Sequence, residues 1–171
     1  MNSIITATQE YFPIIQNIAK EAWPVAFGNI LSQKQINYMM EMMYSSDSLI
    51  NQTHNLSHTF ILSCLDSGST LEYTGYASYE LNHNNQRNLK LHKLYLLPSF
   101  KGRGIGKLLI SHIEVVAKQN NMDNVILNVN RYNPSVGFYL NIGYSIMDSV
   151  DIDIGEGFLM EDYIMGKPIS Y

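Results

Sequence analysis

The feature that most constrains this chain is the segment from Leu94 to Leu109, which reads LYLLPSFKGRGIGKLL. An apolar, strand-like run leads through a basic, glycine-rich turn into an amphipathic helix. Glycines let the backbone approach a ligand closely, and the first N–H groups of a helix lack intrahelical acceptors and carry the positive end of the helix dipole. The segment therefore predicts a strand-to-helix connection that binds a phosphate group. Its glycines and cations are Lys101, Gly102, Arg103, Gly104, Gly106 and Lys107.

Two familiar phosphate-binding motifs do not fit this turn. A Walker A loop needs glycine five residues before Gly106 and Ser or Thr after Lys107, where this chain has Lys101 and Leu108. The dinucleotide fingerprint fails because its third glycine would fall on Lys107 or Leu109. The turn therefore belongs to another class of phosphate-binding connection.

Length and charge narrow the possible functions. A chain of 171 residues is long enough for one domain, residues 1–171, with a core of its own. A net charge of −4 disfavours nucleic-acid binding, which needs a basic face rather than one basic loop. The first ten residues lack the features of a signal peptide, and no apolar run is long enough to span a membrane. The basic turn therefore predicts a small anionic ligand.

The cysteine content indicates a reducing compartment. Cys64 is the single cysteine, so no internal disulfide can form, and no Cys-x-x-Cys pair is present to bind zinc. It lies in an apolar run, which favours a core position over a nucleophilic one. We therefore expect a cytoplasmic protein without a metal.

Periodicity and capping signals predict an α/β (α+β) chain. Ser32 and Gln35 form a capping box before one helix, and Asn133 followed by Pro134 begins another, which Gly143 ends. The order β-α-α-β-β-β-α-β-α-β-β gives a mixed sheet of about seven strands flanked by about four helices. The predicted strands are Ile4–Ala7, His58–Leu65, Leu71–Leu81, Leu89–Leu97, Asn124–Val129, Tyr144–Ile154 and Phe158–Met165, and the helices lie at Thr8–Trp23, Ile36–Met43, Ile105–Gln119 and after Asn133.

Two local features leave alternatives open. The segment Trp23–Gly28 is predicted as a loop whose large apolar groups either cover the core or line a substrate pocket, which makes Trp23 and Phe27 candidate substrate contacts. A regular strand at Leu89–Leu97 would alternate its faces, although a bulge would change that assignment. The residues predicted on one face are Leu89, Leu91, Lys93, Tyr95 and Leu97, and those on the other are Lys90, His92, Leu94 and Leu96.

Two ordered motifs resemble the GNAT superfamily of N-acetyltransferases. The first reads LxPxxKGxGIGxxL from Leu96 to Leu109 and is similar to that family's acetyl-CoA motif. The second reads LxVxxxNxxxxFYxxxGY from Leu127 to Tyr144 and is similar to the family's second motif. One departure is Lys101, where the family most often has Arg or Gln; lysine keeps the charge but loses the planar guanidinium.

The resemblance implies a set of cofactor contacts. Backbone amides from Lys101 to Lys107, including those of Gly102, Arg103, Gly104, Ile105 and Gly106, would hold the CoA pyrophosphate. Backbone groups of Leu96 and Leu97 would pair with the pantetheine arm, and the Leu96 N–H would polarise the acetyl carbonyl. Asn133 would contact the CoA arm, beyond its role as a helix cap.

The resemblance also implies catalytic roles. Tyr139 would reach the thioester sulfur and protonate the departing thiolate, unless it is an ordinary core aromatic. Many family members carry an acidic base on the strand before the glycine turn, and that strand is acid-free here. His92 lies at a matching place and is the candidate base, although a lone histidine on a strand is usually structural.

Two further groups of polar residues could bind a metal or a substrate. His54 and His58 have helical metal spacing, but Asn55 replaces the Glu of His-Glu-x-x-His and the sequence indicates no third ligand. The acids of the last hairpin would normally face solvent; any that face the active cleft would favour a cationic amine such as a polyamine or a lysine side chain. These acids are Asp148, Asp151, Asp153, Glu156, Glu161 and Asp162.

The resemblance thus implies an acyltransferase that moves the acetyl group of acetyl-CoA to a primary amine within a ternary complex. The acceptor would be a small molecule, a polyamine, or a protein lysine or N-terminus. The alternative is a non-catalytic acyl-CoA-binding module on the same fold. We expect no nucleic-acid or membrane partner, and the carboxy-terminal strands offer surfaces for a homodimer.

Overall fold

The computed structural model describes residues 2–170, so the first and last residues of the predicted domain lie outside the described part. Within these residues, seven strands and five α-helices follow one another, and short 3₁₀ turns join some of them. The predicted fold class is confirmed. The strands are β1 (Asn2–Ala7), β2 (Thr59–Asp66), β3 (Leu71–Glu80), β4 (Asn88–Leu96), β5 (Asn124–Asn130), β6 (Ser145–Gly155) and β7 (Phe158–Pro168), and the helices are α1 (Phe12–Phe27), α2 (Gln33–Tyr44), α3 (Ser46–His54), α4 (Ile105–Gln119) and α5 (Ser135–Asn141).

One sheet in the order β1-β2-β3-β4-β5-β7-β6 organises the fold. Its central pair, β4 and β5, is parallel, while the other neighbours are antiparallel. The parallel pairing runs only from Asn88 to Leu91 on β4 and from Asn124 to Leu127 on β5. Both strands continue beyond these residues, so they separate and open a cleft in the middle of the sheet.

The sheet buries a core on each face. One core packs α4 against the sheet through residues such as Ile105, Leu109 and Ile113. The other packs α1, α2 and α3 against the opposite face, with Ile15, Trp23 and other buried residues. Because helices cover both faces, the cleft between β4 and β5 opens into a space bounded by protein on both sides.

The helical count differs from the prediction by one. The structure adds α3, which follows α2 after Ser45, a residue with extended backbone whose side chain accepts a hydrogen bond from the Ser48 N–H at 3.3 Å. The polar composition of this helix hides its periodicity, and it buries few residues, among them Leu49 and Gln52. The observed order is therefore β-α-α-α-β-β-β-α-β-α-β-β.

The segment Trp23–Gly28 was predicted as a loop, and this prediction is wrong. Helix α1 continues through it to Phe27, with Pro24 inside the helix. Proline normally interrupts a helix because it lacks an N–H group. Trp23 and Phe27 lie one turn apart and are both buried, so packing of their rings outweighs that local cost.

Strand β4 contains a bulge, so the face assignment for a regular strand does not hold beyond Leu91. The register pairs Ser78 with Lys93 but Tyr79 with Leu91, so His92 is an extra residue in a β-bulge. The bulge reverses the alternation that follows it. The core on the α4 side therefore takes Leu89, Leu91, Leu94 and Leu96, while Lys93 and Tyr95 turn to the opposite face.

Candidate active site

The glycine turn exposes the start of α4. Gly102 and Gly104 both have positive φ, at 77° and 79°, which glycine adopts without strain. Gly104 is the N-cap of α4 and has no side chain to cap it, so the first N–H groups of the helix are left available. Lys101, Arg103 and Lys107 are exposed around this turn, and the Arg103 guanidinium lies 4.9 Å from the Phe100 ring centre. An anion fits this arrangement of dipole and charge.

The turn lies beside the cleft. A Cβ added to Gly106 would lie 3.4 Å from Phe138 on α5 and 3.8 Å from Leu96 at the end of β4. Only a small residue lets the first turn of α4 approach both elements this closely. The predicted pyrophosphate site and the second motif are thus adjacent in space.

The two predicted backbone contacts on β4 differ in availability. The Leu97 N–H donates to the Thr74 carbonyl at 2.9 Å, and the Leu97 carbonyl accepts from Phe100 at 2.9 Å. The Leu97 N–H is therefore not free to pair with a ligand, and that part of the prediction is corrected. Successive residues of an antiparallel strand point their backbone groups in opposite directions, so the Leu96 N–H faces the side from which β5 has separated.

One cavity brings together several of the predicted site residues. It lies where β4 and β5 separate, and α1, α2, α5 and β7 complete its walls. The predicted residues on its lining are Trp23, Phe27, His92, Asn133 and Tyr139. The glycine-turn residues are not among them, which is consistent with separate places for the phosphate and for the reacting groups.

Trp23 and Phe27 combine two roles that the sequence left open. Both are core residues and both line the cavity. The Trp23 indole N–H donates to the Tyr44 hydroxyl at 3.3 Å, and its ring lies 4.7 Å from Phe27 and 5.6 Å from Tyr95. The Tyr76 hydroxyl also donates to Tyr44, at 2.5 Å. This aromatic cluster forms a rigid wall of the cavity.

Helix α2 closes the end of the cavity that faces the last hairpin. The Gln35 amide donates to the Leu159 carbonyl at 2.8 Å, and the Tyr38 hydroxyl donates to the Ile154 carbonyl at 2.6 Å. Gln35 and Leu159 both line the cavity. These contacts join α2 to the last hairpin, so the two elements form adjoining walls of the cavity.

Tyr139 and Asn133 come from α5 and the turn before it. Tyr139 is buried and lines the cavity, and its burial raises the pKa of the phenol, which keeps it a proton donor at neutral pH. Within residues 2–170 its hydroxyl makes no side-chain hydrogen bond, so it is available to a ligand. The Asn133 side-chain oxygen accepts from the Ser135 N–H at 2.8 Å, but α5 begins at Ser135 with Pro134 as its N-cap, so the predicted start of this helix is one residue too early.

His92 belongs to a cluster that the sequence did not reveal. Its Nε2 lies 2.9 Å from a carboxylate oxygen of Glu80, which also lies 2.8 Å from His83 Nδ1. The His92 ring stacks on His58 at 3.8 Å between ring centres. Burial and the neighbouring His58 lower the pKa of His92 to about 3, so the ring is neutral at physiological pH. A base of this strength accepts a proton from an alkylammonium only at a high cost.

The same cluster is the arrangement in the described chain that could hold a metal ion. One ligand-capable atom each from His58, Glu80 and His92 lies within 4.8 Å of the others. The hydrogen bond between Glu80 and His92 already satisfies part of this set, and the buried His58 Nδ1 has no partner within residues 2–170. We assign no metal to it.

Sequence reasoning did not single out Asp162. This residue of β7 is only 3% exposed and lines the cavity, whereas the other acids of the last hairpin are exposed or half-buried. Its neighbour Asn128 on β5 donates to it at 3.4 Å and accepts a hydrogen bond from the Lys90 ammonium. In the sequence, the alternation of polar and apolar residues along β7 is the pattern that marks Asp162. This pattern does not predict which face of the strand borders a cleft.

The described helices include none that is long and apolar enough to cross a membrane.

Comparison with solved structures shows the fold. A PaiA N-acetyltransferase from Thermoplasma acidophilum, solved in complex with coenzyme A, superposes with a TM-score of 0.80 at 24% identity over 98% of this chain and 99% of that chain. A GCN5-related N-acetyltransferase from Rhodopseudomonas palustris superposes with a TM-score of 0.81 at 15% identity, over 98% and 96% of the two chains. At these identities the likeness establishes the fold alone.

Sequence comparison extends this result. A spermidine N(1)-acetyltransferase from Thermoplasma acidophilum is 27% identical over 146 residues, which are 84% of this chain and 86% of that protein. The family model described as the acetyltransferase (GNAT) family matches residues 13–144. That span contains both motifs, the glycine turn and Tyr139. The chain therefore belongs to the acetyltransferase (GNAT) family.

Proposed function

We propose that this protein transfers the acetyl group of acetyl-CoA to the nitrogen of a primary amine. The observation that carries the proposal is the cleft between β4 and β5, which has the glycine turn beside it and Tyr139 on its wall. Acetyl-CoA supplies an activated thioester, and the chain must bind its phosphates, position the acetyl group and protonate the leaving sulfur. The cavity-lining residues include no cysteine, which supports direct transfer without an acyl-enzyme.

The residues fit acetyl-CoA in a consistent order along the cleft. The first N–H groups of α4 and the cations of the turn would hold the pyrophosphate, an interaction worth up to about 2 kcal/mol where partly buried. The Leu96 N–H would donate to the acetyl carbonyl oxygen, and the Tyr139 hydroxyl would give its proton to the departing sulfur. Asn133 would contact the arm between them.

The acceptor that we propose is a polyamine or a similar aliphatic amine. The support is the name of one relative, a spermidine N(1)-acetyltransferase at 27% identity, together with the apolar and acidic lining of the cavity. A cationic alkyl chain suits a space with aromatic walls and one buried carboxylate. We place the activity in the cytoplasm, in keeping with a single, buried cysteine, and the edge strand β6 is the surface that we propose for a homodimer.

The decisive experiment is a panel of amines with acetyl-CoA and the purified protein, followed by release of free thiol and by mass spectrometry of the acetylated product. The panel should include spermidine, a simple alkylamine, lysine peptides and peptides with a free N-terminus. Turnover with aliphatic amines is expected. Tight binding of CoA without turnover on any amine would instead favour the non-catalytic acyl-CoA-binding module.

A further inference from the structure

The buried carboxylate of Asp162 lacks a full set of partners. Within residues 2–170 its one side-chain hydrogen bond comes from Asn128, at a long 3.4 Å. A carboxylate can accept about four hydrogen bonds, and a buried one that accepts fewer is destabilising. The residue is nevertheless 97% buried, because its exposed fraction is 3%. Its side chain lines the cavity, so a ligand there can supply the missing donors.

The cations near Asp162 do not occupy its cavity side. The Lys90 ammonium donates to the Asn128 side chain, and Lys90 is not among the residues that line the cavity. Arg131 donates to Asp151 at 2.6 Å and to Glu161 at 3.4 Å, outside the cavity.

A third cation, Lys93, does line the cavity, but its ammonium is engaged with the Gln52 side chain on the α3 side of the sheet. The described residues thus leave the cavity face of the carboxylate open to a positive charge from a ligand.

The rest of the cavity is suited to a hydrocarbon chain. Aromatic and aliphatic side chains from α1, α2 and the turn between them form part of its lining. These residues are Trp23, Phe27, Leu31, Met39 and Met43. A single carboxylate in a cavity with this apolar lining favours a cation carried on methylene groups over a neutral ligand.

We propose that Asp162 binds the ammonium group of an aliphatic amine in this cavity and takes a proton from it. The inference rests on the proposed acetyl transfer and deepens it by naming the group that binds the acceptor and prepares it for attack. Asp162 is then a catalytic residue that touches the substrate.

The proton and electron movements balance. The acceptor R–NH₃⁺ loses one proton to an Asp162 carboxylate oxygen, and the freed nitrogen lone pair forms the N–C bond to the acetyl carbon. The C–S bond breaks with its electron pair on sulfur, which takes a proton from the Tyr139 hydroxyl. The acylated nitrogen, which is cationic after attack, releases its second proton, and this restores the Tyr139 hydroxyl through solvent. Asp162 gives its proton to solvent, so the net products are the acetamide, CoA–SH and one proton.

The alternative proton acceptor in the cavity is His92. Its pKa of about 3 makes it a weaker base than an ordinary aspartate, and its Nε2 is already engaged with Glu80. Burial acts in the opposite direction on Asp162 and raises its pKa, against the hydrogen bond of Asn128 and the charges of Lys90 and Arg131. The other titratable groups on these walls are Lys93 and Tyr95 on β4, Tyr44 on α2 and Tyr139 on α5.

The test compares Asp162→Asn with Glu161→Gln, which removes the neighbouring half-buried carboxylate outside the cavity. For an aliphatic amine, Asp162→Asn should lower kcat/KM by about 100-fold or more, as expected for loss of a general base. For an aromatic amine, which is neutral at pH 7, the same variant should change kcat/KM by less than about 3-fold, because no ammonium has to be bound or deprotonated. Glu161→Gln should behave as wild type with both.

A second measurement gives the answer without turnover. Propylamine is titrated by calorimetry into the CoA-bound wild type and into the CoA-bound Asp162→Asn variant. The variant should bind propylamine at least about 10-fold more weakly than wild type, while 1-propanol should bind both proteins equally. Unchanged affinity for propylamine, or equal losses for the charged and neutral ligands, would overturn the assignment of Asp162. If wild type binds propylamine through Asp162 but acetylates no amine, the proposed function fails and the binding site stands.

Discussion

At the level of single residues, the polar groups that line the cavity differ in how many hydrogen bonds they already make. Tyr139 and Asp162 are buried, line the cavity and have few hydrogen bonds of their own. His92 lines the same cavity, but Glu80 and His58 hold it in place. Because a ligand binds most strongly to groups that still lack partners, the first pair carries the proposed chemistry.

Replacement of Tyr139 by phenylalanine tests the proposed proton donor. Tyr139→Phe removes only the hydroxyl, so we expect kcat to fall by about 10²- to 10³-fold while CoA affinity stays within about 2-fold. Steady-state kinetics and calorimetry with CoA measure the two effects. Tyr163→Phe on β7 is the matched control, because Tyr163 does not line the cavity. A Tyr139→Phe enzyme with unchanged kcat would remove the phenol from the mechanism.

At the scale of secondary-structure elements, strand ends and helix starts create the site. The parallel pairing of β4 and β5 stops at Leu91 and Leu127, and the bulge at His92 re-aims the residues that follow it. Helix α4 begins at Ile105 with an uncapped first turn. Each of these features leaves backbone groups without their regular partners, and a ligand can supply them.

A pair of glycine variants tests the start of α4. Gly104 and Gly68 both have positive φ, at 79° and 87°, and neither has an atom within 4 Å of an added Cβ. Valine at either position should therefore cost a similar free energy of unfolding, about 1–2 kcal/mol, from backbone strain. Only Gly104→Val should also weaken CoA binding, by about 10-fold or more.

Chemical denaturation measures the free energy of unfolding of the two glycine variants, and calorimetry measures their affinity for CoA. Gly68 lies in the β2–β3 turn, away from the cleft, so it serves as the control for strain. Equal CoA affinity in the two variants would show that the predicted pyrophosphate site is misplaced.

At the scale of the whole molecule, two cores hold the sheet from both sides and fix the walls of the cavity. Residues of α1 and α2 contribute to one core and also line the cavity, as Trp23 and Met39 show. The other core positions α4 and α5, which carry the glycine turn and Tyr139. Substitutions in these walls therefore change stability as well as ligand binding.

Two half-buried histidines predict how stability depends on pH. In the unfolded chain His92 takes up a proton near pH 6.5, whereas in the folded protein its pKa is about 3. The unfolded state binds more protons between these values, so the free energy of unfolding should fall as pH falls, by about 2 kcal/mol between pH 7 and pH 5. Burial also lowers the pKa of His58, to about 4, which acts in the same direction.

Urea denaturation at pH 7, 6 and 5 measures this dependence. His92→Gln should show a smaller decrease than wild type, because it removes one half-buried ring. His54→Gln, at an exposed position at the end of α3, should keep the wild-type decrease. A wild-type free energy of unfolding that does not change over this range would contradict the half-buried, neutral state of these rings.

Three features could be predicted from the sequence: the fold class, the glycine turn at the start of α4 and the motif that carries Tyr139. Local residue spacing and the conformational freedom of glycine encode these features. The sequence did not determine α3, whose polar composition conceals its periodicity, or the helical state of Trp23 to Phe27, where packing outweighs proline.

The residues proposed to contact the acceptor depend on contacts that the sequence does not show. The bulge at His92, the pairing of His92 with Glu80 and the burial of Asp162 all depend on register between strands that are distant in sequence. Burial and pKa arise from such neighbours, so the proposed phosphate-binding turn could be predicted from the chain, whereas the proposed amine-binding residue could be found only in the folded sheet.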